Sequence, residues 1–208
     1  NLEYDSVILH CDQALERYPN QALLYFYNGV AYYSKKEFET AIRLLSYGRK
    51  YVGDPNLLGF FHAQLGDAHN ALEQHTQSDE AYEKALELNP NNEHVLNNYS
   101  YFLCLRKQQL LKAQDMAKKL IQKHPENATY LDTYGWVLYT MKQYEEAEIY
   151  LKKAALIDEN GTVIEHYGDV LFELGQFKEA LTQWIRAKEL GGTTDSIGLK
   201  IKNSEIHD

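Results

Sequence analysis

His62, Asp67, His69 and His75 form the densest group of metal-ligating side chains in the chain. A divalent metal would need three or four of them to converge. His62 and His69 are seven residues apart and His75 falls in the next helical segment, so their spacing implies solvated or half-buried histidines and no metal site. Asp132 with Glu165 is the best acid pair for proton transfer, but no nucleophile or substrate pocket accompanies it. Cys11 and Cys104 lie 93 residues apart with no Cys-x-x-Cys or Cys/His spacing, which indicates neither a disulfide framework nor a zinc site. No Gly-x-Ser-x-Gly, His-Glu-x-x-His or phosphate-cradling glycine loop occurs, so these residues indicate a protein that is not an enzyme and carries no cofactor.

The glycines are spaced by something other than chemistry. Gly29, Gly66, Ser100, Gly135 and Gly168 follow one another at steps of 37, 34, 35 and 33 residues, each within an apolar stretch. A second series, Ala41, Ser78, Ala113, Ala147 and Ala180, follows at twelve or thirteen residues, and a third, Gly48, Ala85, Leu120, Ala154 and Ala187, seven beyond that. Pro90 and Pro125 close their units, and Pro19 closes one at the start. Tyr130, Tyr134, Val137, Leu138 and Met141 recur at three- and four-residue steps, as do Tyr144, Ala147, Leu151 and Ala154, which is helical periodicity. The break at Lys142-Gln143 leaves room only for a tight turn. The spacing therefore predicts pairs of antiparallel helices, with Gly135 crossing near Ala147 so that the backbones approach to roughly 8–10 Å. Asp54-Pro55 reads as a helix start, Thr162 to Glu165 as a capping box and Gly191-Gly192 as a stop.

Composition agrees with a solenoid of such pairs. The 208 residues are 44% apolar and 25% charged with a net charge of −9 and only four prolines, which excludes a disordered tail. Binding to nucleic acid would need clustered Lys and Arg, and the apolar runs are too short for a transmembrane segment. Charge is blocked: Tyr51 to Glu83 holds six acids and no Lys or Arg, whereas Arg106 to Lys123 holds six bases and one acid. Seventeen of the aromatic residues are tyrosine.

Tyr134-Gly135 with Leu138, Ala147, Leu151 and Ala154, and Tyr167-Gly168 with Leu171, Ala180, Trp184 and Ala187, resemble tetratricopeptide repeats. The resemblance extends over nearly the whole chain. It implies an all-α, right-handed α-solenoid of antiparallel helix pairs, with repeats at 22–55, 59–92, 93–127, 128–160 and 161–194 in a single array over 1–208. Residues 1–21 read as the second helix of a truncated repeat, whose bare face would favour a homodimer, and 195–208 as a capping helix and tail. The runs Leu96–Leu103 and Leu131–Tyr139 are similar to a bacterial multi-repeat branch, which implies the cell envelope or periplasm as a compartment, with the cytoplasm as the other.

In that family the first helix of each pair lines a concave groove. Carried over to this sequence, the resemblance implies Phe26 and Tyr33 as groove residues from the first repeat, Asp67 from the second, and Asn97 and Tyr101 from the third. Asp132, Trp136 and Tyr139 follow from the fourth, and Glu165, Asp169 and Phe172 from the fifth. The acids sit where a carboxylate-clamping groove would need bases, so the expected partner is a protein or peptide with a basic segment. The expected function is a non-enzymatic protein–protein interaction scaffold. The alternative is a structural self-assembly module packing through its ends or its basic outer face.

Overall fold

The protein's structure, a computed structural model, describes residues 2–204. In chain order its helices are α1 (Leu2–Arg17), α2 (Ala22–Ser34), α3 (Phe38–Gly48), α4 (Pro55–Ala71), α5 (His75–Leu88) and α6 (Glu93–Leu105). There follow α7 (Leu110–Lys123), α8 (Ala128–Thr140), α9 (Tyr144–Ile157), α10 (Gly161–Glu173), α11 (Phe177–Leu190) and α12 (Ile197–Ser204). A one-turn 3-10 helix, Arg49–Tyr51, extends α3 where the first repeat is longer than the others. Among the described residues there is no strand, and no helix is long and apolar enough to cross a membrane. The fold is all-α, a solenoid of helix pairs. The C-terminal capping helix expected within 195–208 is α12; residue 1 and the tail after residue 204 lie outside the described residues.

The chain forms two compact units, Asn1–Asn98 and Tyr99–Asp208, divided within α6. In the first, α1 to α5 pack each on the next, around Tyr25, Leu45, Phe61 and Leu65. On α1, Cys11 is buried and Ala14 half-buried, while Val7, which shares their helical register, is exposed. In the second, α7 to α12 pack likewise, around Tyr134, Leu138, Leu151 and Val170 and then Leu171, Trp184 and Ile197. Burying each such aliphatic side chain contributes about 1.5–3 kcal/mol.

One turn design closes every pair. Backbone N–H groups of Glu37, Gln74, Gln143 and Gln176 donate to carbonyls five residues earlier, each at 2.9 Å, and Gln108 does so at 3.0 Å. The residue before each donor is left-handed: Lys36, Glu73, Lys107 and Lys142 at φ 54 to 64°, and Gly175 at 76°. This is the Schellman closure of a helix. The extra residue of the third repeat is absorbed by a second left-handed position, Gln109 at φ 46°. Starts are equally local. Asp54 accepts from Asn56 N–H ahead of Pro55, and Asn127 accepts from Tyr130 N–H.

Two local expectations are corrected. The cap of α10 is Asn160, which accepts from Thr162 N–H at 2.9 Å, and Glu165 is not part of a capping box. The reason is crowding: a Cβ at Gly161 would lie 1.9 Å from Gly191 O, so α10 can start against the end of α11 only with a glycine there. Gly135 faces Leu151 and not Ala147, since a Cβ there would lie 2.6 Å from Leu151 Cγ. The same offset of 16 residues recurs, with Gly29 under Leu45, Gly66 under Tyr82 and Gly168 under Trp184, at 2.5–2.7 Å. Each small residue thus makes room for one large side chain, while Ala147, fully buried, packs one turn away.

Candidate functional site

Asp132, Trp136 and Tyr139 are spaced by four and three residues on α8, and Glu165, Asp169 and Phe172 repeat that spacing on α10. Residues so spaced share one helix face. In the second unit these two faces come together, bridged by residues that periodicity did not single out. The Trp136 ring stacks on Tyr139 at 4.6 Å and on His166 at 3.9 Å, tilted by only 11° and 18°. His166 Nδ1 lies 2.9 Å from Asp132 Oδ1, with both residues buried. Because an ionised carboxylate only accepts, the imidazole donates here. Trp136 is therefore half-buried in a stack and is not a free outward side chain.

Tyr101, half-buried on α6, belongs to the same neighbourhood. Its hydroxyl pKa is raised by burial and then by the charges of Asp132, Cys104 and Glu165. The Tyr139 hydroxyl is raised further, by burial and by Asp169 and Glu173. The thiol of Cys104 lies 3.0 Å from Thr140 Oγ1, and burial pushes it up to about 11, so it is a packed thiol and no nucleophile at neutral pH.

The acids of the last repeat are already engaged. Lys200 on α12 reaches Glu165 Oε1 at 2.6 Å and Asp169 Oδ2 at 2.7 Å, and stands 6.0 Å over the Trp184 ring. Thr194 adds its backbone N–H to Glu165 Oε2 at 2.7 Å and its hydroxyl to Oε1. Burial alone would raise the Glu165 pKa, but Lys200 and Thr194 hold it below the usual value. For Asp169 burial wins over Lys200 and the pKa is raised. Trp184 Nε1 donates to Asp169 at 2.9 Å. A cavity of about 180 Å³ remains between Tyr139, Asp169, Phe172, Trp184 and Lys200. Phe172 forms its wall, 5.4 Å from Trp184 and 5.1 Å from Phe177.

The first unit repeats this plan around Asp67. Its buried carboxylate accepts from Tyr82 Oη at 2.5 Å, from Asn98 Nδ2 at 3.0 Å and from Gln64 Nε2 at 3.2 Å, with His94 Nε2 at 2.6 Å. Tyr82 stands fifteen residues after Asp67, as Trp184 does after Asp169, and Asn98 and Lys200 both stand thirty-one after. The hydrogen bond that His94 donates to Asp67 raises the His94 pKa against the opposing effect of burial. Tyr33 is half-buried with its ring 5.4 Å from Phe38, and its hydroxyl is raised by burial and by Asp67. Phe26 lies 5.2 Å from Phe61 within the core cluster, so its ring faces packing. Asn97 donates to Asn98 Oδ1 at 3.3 Å and its own Oδ1 is buried without a partner.

His62, His69 and His75 do not converge. His62 is buried on α4, His69 Nδ1 lies 2.6 Å from Gln74 Oε1, and His75 is exposed at the start of α5. Among the described residues no three of His, Cys, Asp or Glu are grouped to hold a metal.

Residues 61–92 and 128–160 match one model of the tetratricopeptide repeat, and residues 81–115 match a second. Over residues 61–115 and 128–160 the chain is therefore similar to the tetratricopeptide repeat family. The tetratricopeptide repeat-containing protein PA4667 of Pseudomonas aeruginosa is 29% identical over 152 residues, which are 72% of this chain and 25% of that protein. The chain thus spans about a quarter of the length of this curated relative. A chain of the APC/C hetero-tetramer Cut9-Hcn1 superposes with a TM-score of 0.83 at 16% identity, covering 99% of this chain and 40% of that one. PilW, a type IV pilus biogenesis factor, superposes with a TM-score of 0.77 at 16% identity, covering 89% and 86%. In tetratricopeptide terms, Asp67 and Asp169 directly follow the small glycine, and Tyr82 and Trp184 come from the second helix of the same repeat. Sequence spacing finds the acids; it misses their partners because Tyr82 and Trp184 also read as core aromatics. His94 and His166 lie within repeats but histidine does not recur at their positions, and Lys200 lies after the last repeat, so no periodic signal marks them.

Proposed function

We propose that this chain is a non-enzymatic protein-interaction scaffold that holds a partner segment carrying Lys or Arg beside apolar side chains. The working face in the second unit is Tyr101, Asp132, Trp136 and Tyr139, continued by Glu165, Asp169 and Phe172. Tyr33, Asp67 and Asn97 offer the corresponding face in the first unit, with Phe26 behind it. One observation carries the reading: the chain's own Lys200, on a helix, pairs with Glu165 and Asp169 and stands over Trp184. These acids and rings thus already accept a lysine presented by a helical segment, with the cation over an aromatic ring adding about 0.5–2 kcal/mol. The stack of His166, Trp136 and Tyr139 supplies a rigid aromatic anchor of the kind that dominates binding energetics.

The test is a comparison of the intact chain with Tyr101→Ala and Asp132→Asn as baits for proteins from the native source, followed by titration of the captured protein. Tyr101→Ala should lower affinity by about 1–2 kcal/mol. Asp132→Asn should slow association and flatten its salt dependence. A captured partner that binds both variants as tightly as the intact chain would move the working surface elsewhere. Self-assembly is the competing reading, favoured by the exposed apolar side chains Val7, Leu9, Leu23 and Tyr27 of the first unit. Light scattering separates the two, since a monomer at micromolar concentration contradicts assembly.

A further inference from the structure

Among the described residues, His62 is the one buried histidine that the acid network leaves alone. It sits on α4 only 7% exposed, and its Nδ1 is fully buried without a hydrogen-bond partner. Neither ring nitrogen bonds to any described residue. A buried polar group left unsatisfied is uncommon and calls for an explanation such as water or an ion. The ring lines a cavity of about 150 Å³ among the end of α3, the 3-10 turn, α4 and α5. Arg49 and Lys84 stand at its exposed rim, from the 3-10 turn and α5, and neither forms an ion pair among the described residues. His69 also lines it, but its Nδ1 is engaged by Gln74. Glu80 is the single carboxylate on the wall.

Two unpaired cations beside a desolvated imidazole are unusual in a chain of net charge −9. Their field is felt within the cavity: burial, then Arg49 and Lys84, hold the His62 pKa down to about 4. Such a field favours an anion, whose charge would offset both cations and let the imidazole donate. The donors come from three separate elements and so surround a ligand, which suits a tetrahedral group better than a planar carboxylate. The space admits one such group and no nucleotide. We propose that this cavity binds a single tetrahedral oxyanion, of the phosphate or sulfate class, between Arg49, Lys84 and His62. Glu80 opposes it and sets a ceiling on affinity.

The experiment is a titration of the full chain with inorganic phosphate at constant ionic strength, followed through the imidazole signals by NMR, with His62 assigned from His62→Gln. Phosphate at millimolar concentration should shift the His62 signals to saturation and raise its pKa from about 4 toward the ordinary histidine range. Arg49→Gln and Lys84→Gln, both at exposed positions, should each weaken binding roughly tenfold, and Glu80→Gln should tighten it. Sulfate should compete, and acetate should bind more weakly. Unmoved His62 signals in phosphate, or an equal response in the Arg49→Gln/Lys84→Gln double variant, would overturn the site. Acetate binding as well as phosphate would overturn the tetrahedral assignment.

Discussion

Lys200→Met isolates the contact between α12 and the last repeat. Methionine keeps the apolar stem of the side chain and removes the ammonium. Glu165 is then fully buried and Asp169 nearly so, with their cation gone. Removing one member of a buried pair costs about 3–5 kcal/mol, because the other charge is stranded. Here the lysine side chain is 23% exposed and Thr194 still donates twice to Glu165, so water and those bonds recover part of it. A loss of about 2 kcal/mol follows. In a solenoid each repeat contacts only its neighbours, so the loss should fall on α10 to α12. Urea unfolding followed by Trp184 fluorescence, in a Trp136→Phe background, should therefore move further than the helical circular dichroism. The pH dependence gives a second sign. Glu165 is held below its usual pKa, so in the intact chain it stabilises above the unfolded carboxyl value, and that contribution is lost as pH falls through the folded one. Without Lys200 burial takes over and protonation relieves the strain, so the gap between the two proteins should narrow on acidification. Unchanged stability at neutral pH, or a gap that stays constant down to about pH 4, where a carboxyl ordinarily titrates, would refute the reasoning.

Gly135→Ala should cost about 1–3 kcal/mol in a thermal melt, because its methyl meets Leu151 where no room exists, and Ala147→Leu should cost as much from a fully buried position. Lys119→Leu, on an exposed position of α7, should change the melt little. His94→Gln should destabilise more at pH 5.5 than at pH 8.5: the folded pKa is raised by Asp67, so the contribution is full below the unfolded histidine value and fades as pH rises through the folded one. Equal losses at both pH values would show that His94 acts by packing alone. Cys104, buried with its pKa near 11, should react with iodoacetamide at neutral pH only as fast as the chain opens, and should be labelled promptly in urea.

The fold was legible because its signal is repeated. A small residue every 33 to 37 positions cannot be accidental, and Asp54, Pro55 and the Gly191-Gly192 stop are local chemistry that tertiary context did not override. The crossing partner of Gly135 was misplaced by one turn, since spacing fixes which face meets which but not the direction in which Leu151 leans. The candidate face was legible in its acids and aromatics, which recur at i, i+4 and i+7 on α8 and α10. What periodicity could not supply is who neutralises the acids. Lys200 lies after the last repeat, and His166 occupies the position held by Thr133 one repeat earlier. Partners that occur once have no pattern to betray them.

The offset of 16 residues between each small residue and the side chain above it limits how these repeats could be recombined. Leu45, Tyr82, Leu151 and Trp184 differ greatly in volume, yet each fills the notch over a glycine. A chimera that exchanges whole second helices among those four repeats keeps a notch under every bulky side chain and should fold. The third repeat breaks the scheme: Ser100 stands where the glycine would be, and Ala117 falls at the matching register once its extra residue is counted. Moving α9 behind α6 would drive Leu151 into Ser100, and moving α7 behind α8 would leave Gly135 under an alanine with an unfilled hole. For shuffling, the third repeat is therefore a cassette that travels only as a complete pair, while the others share one interchangeable joint.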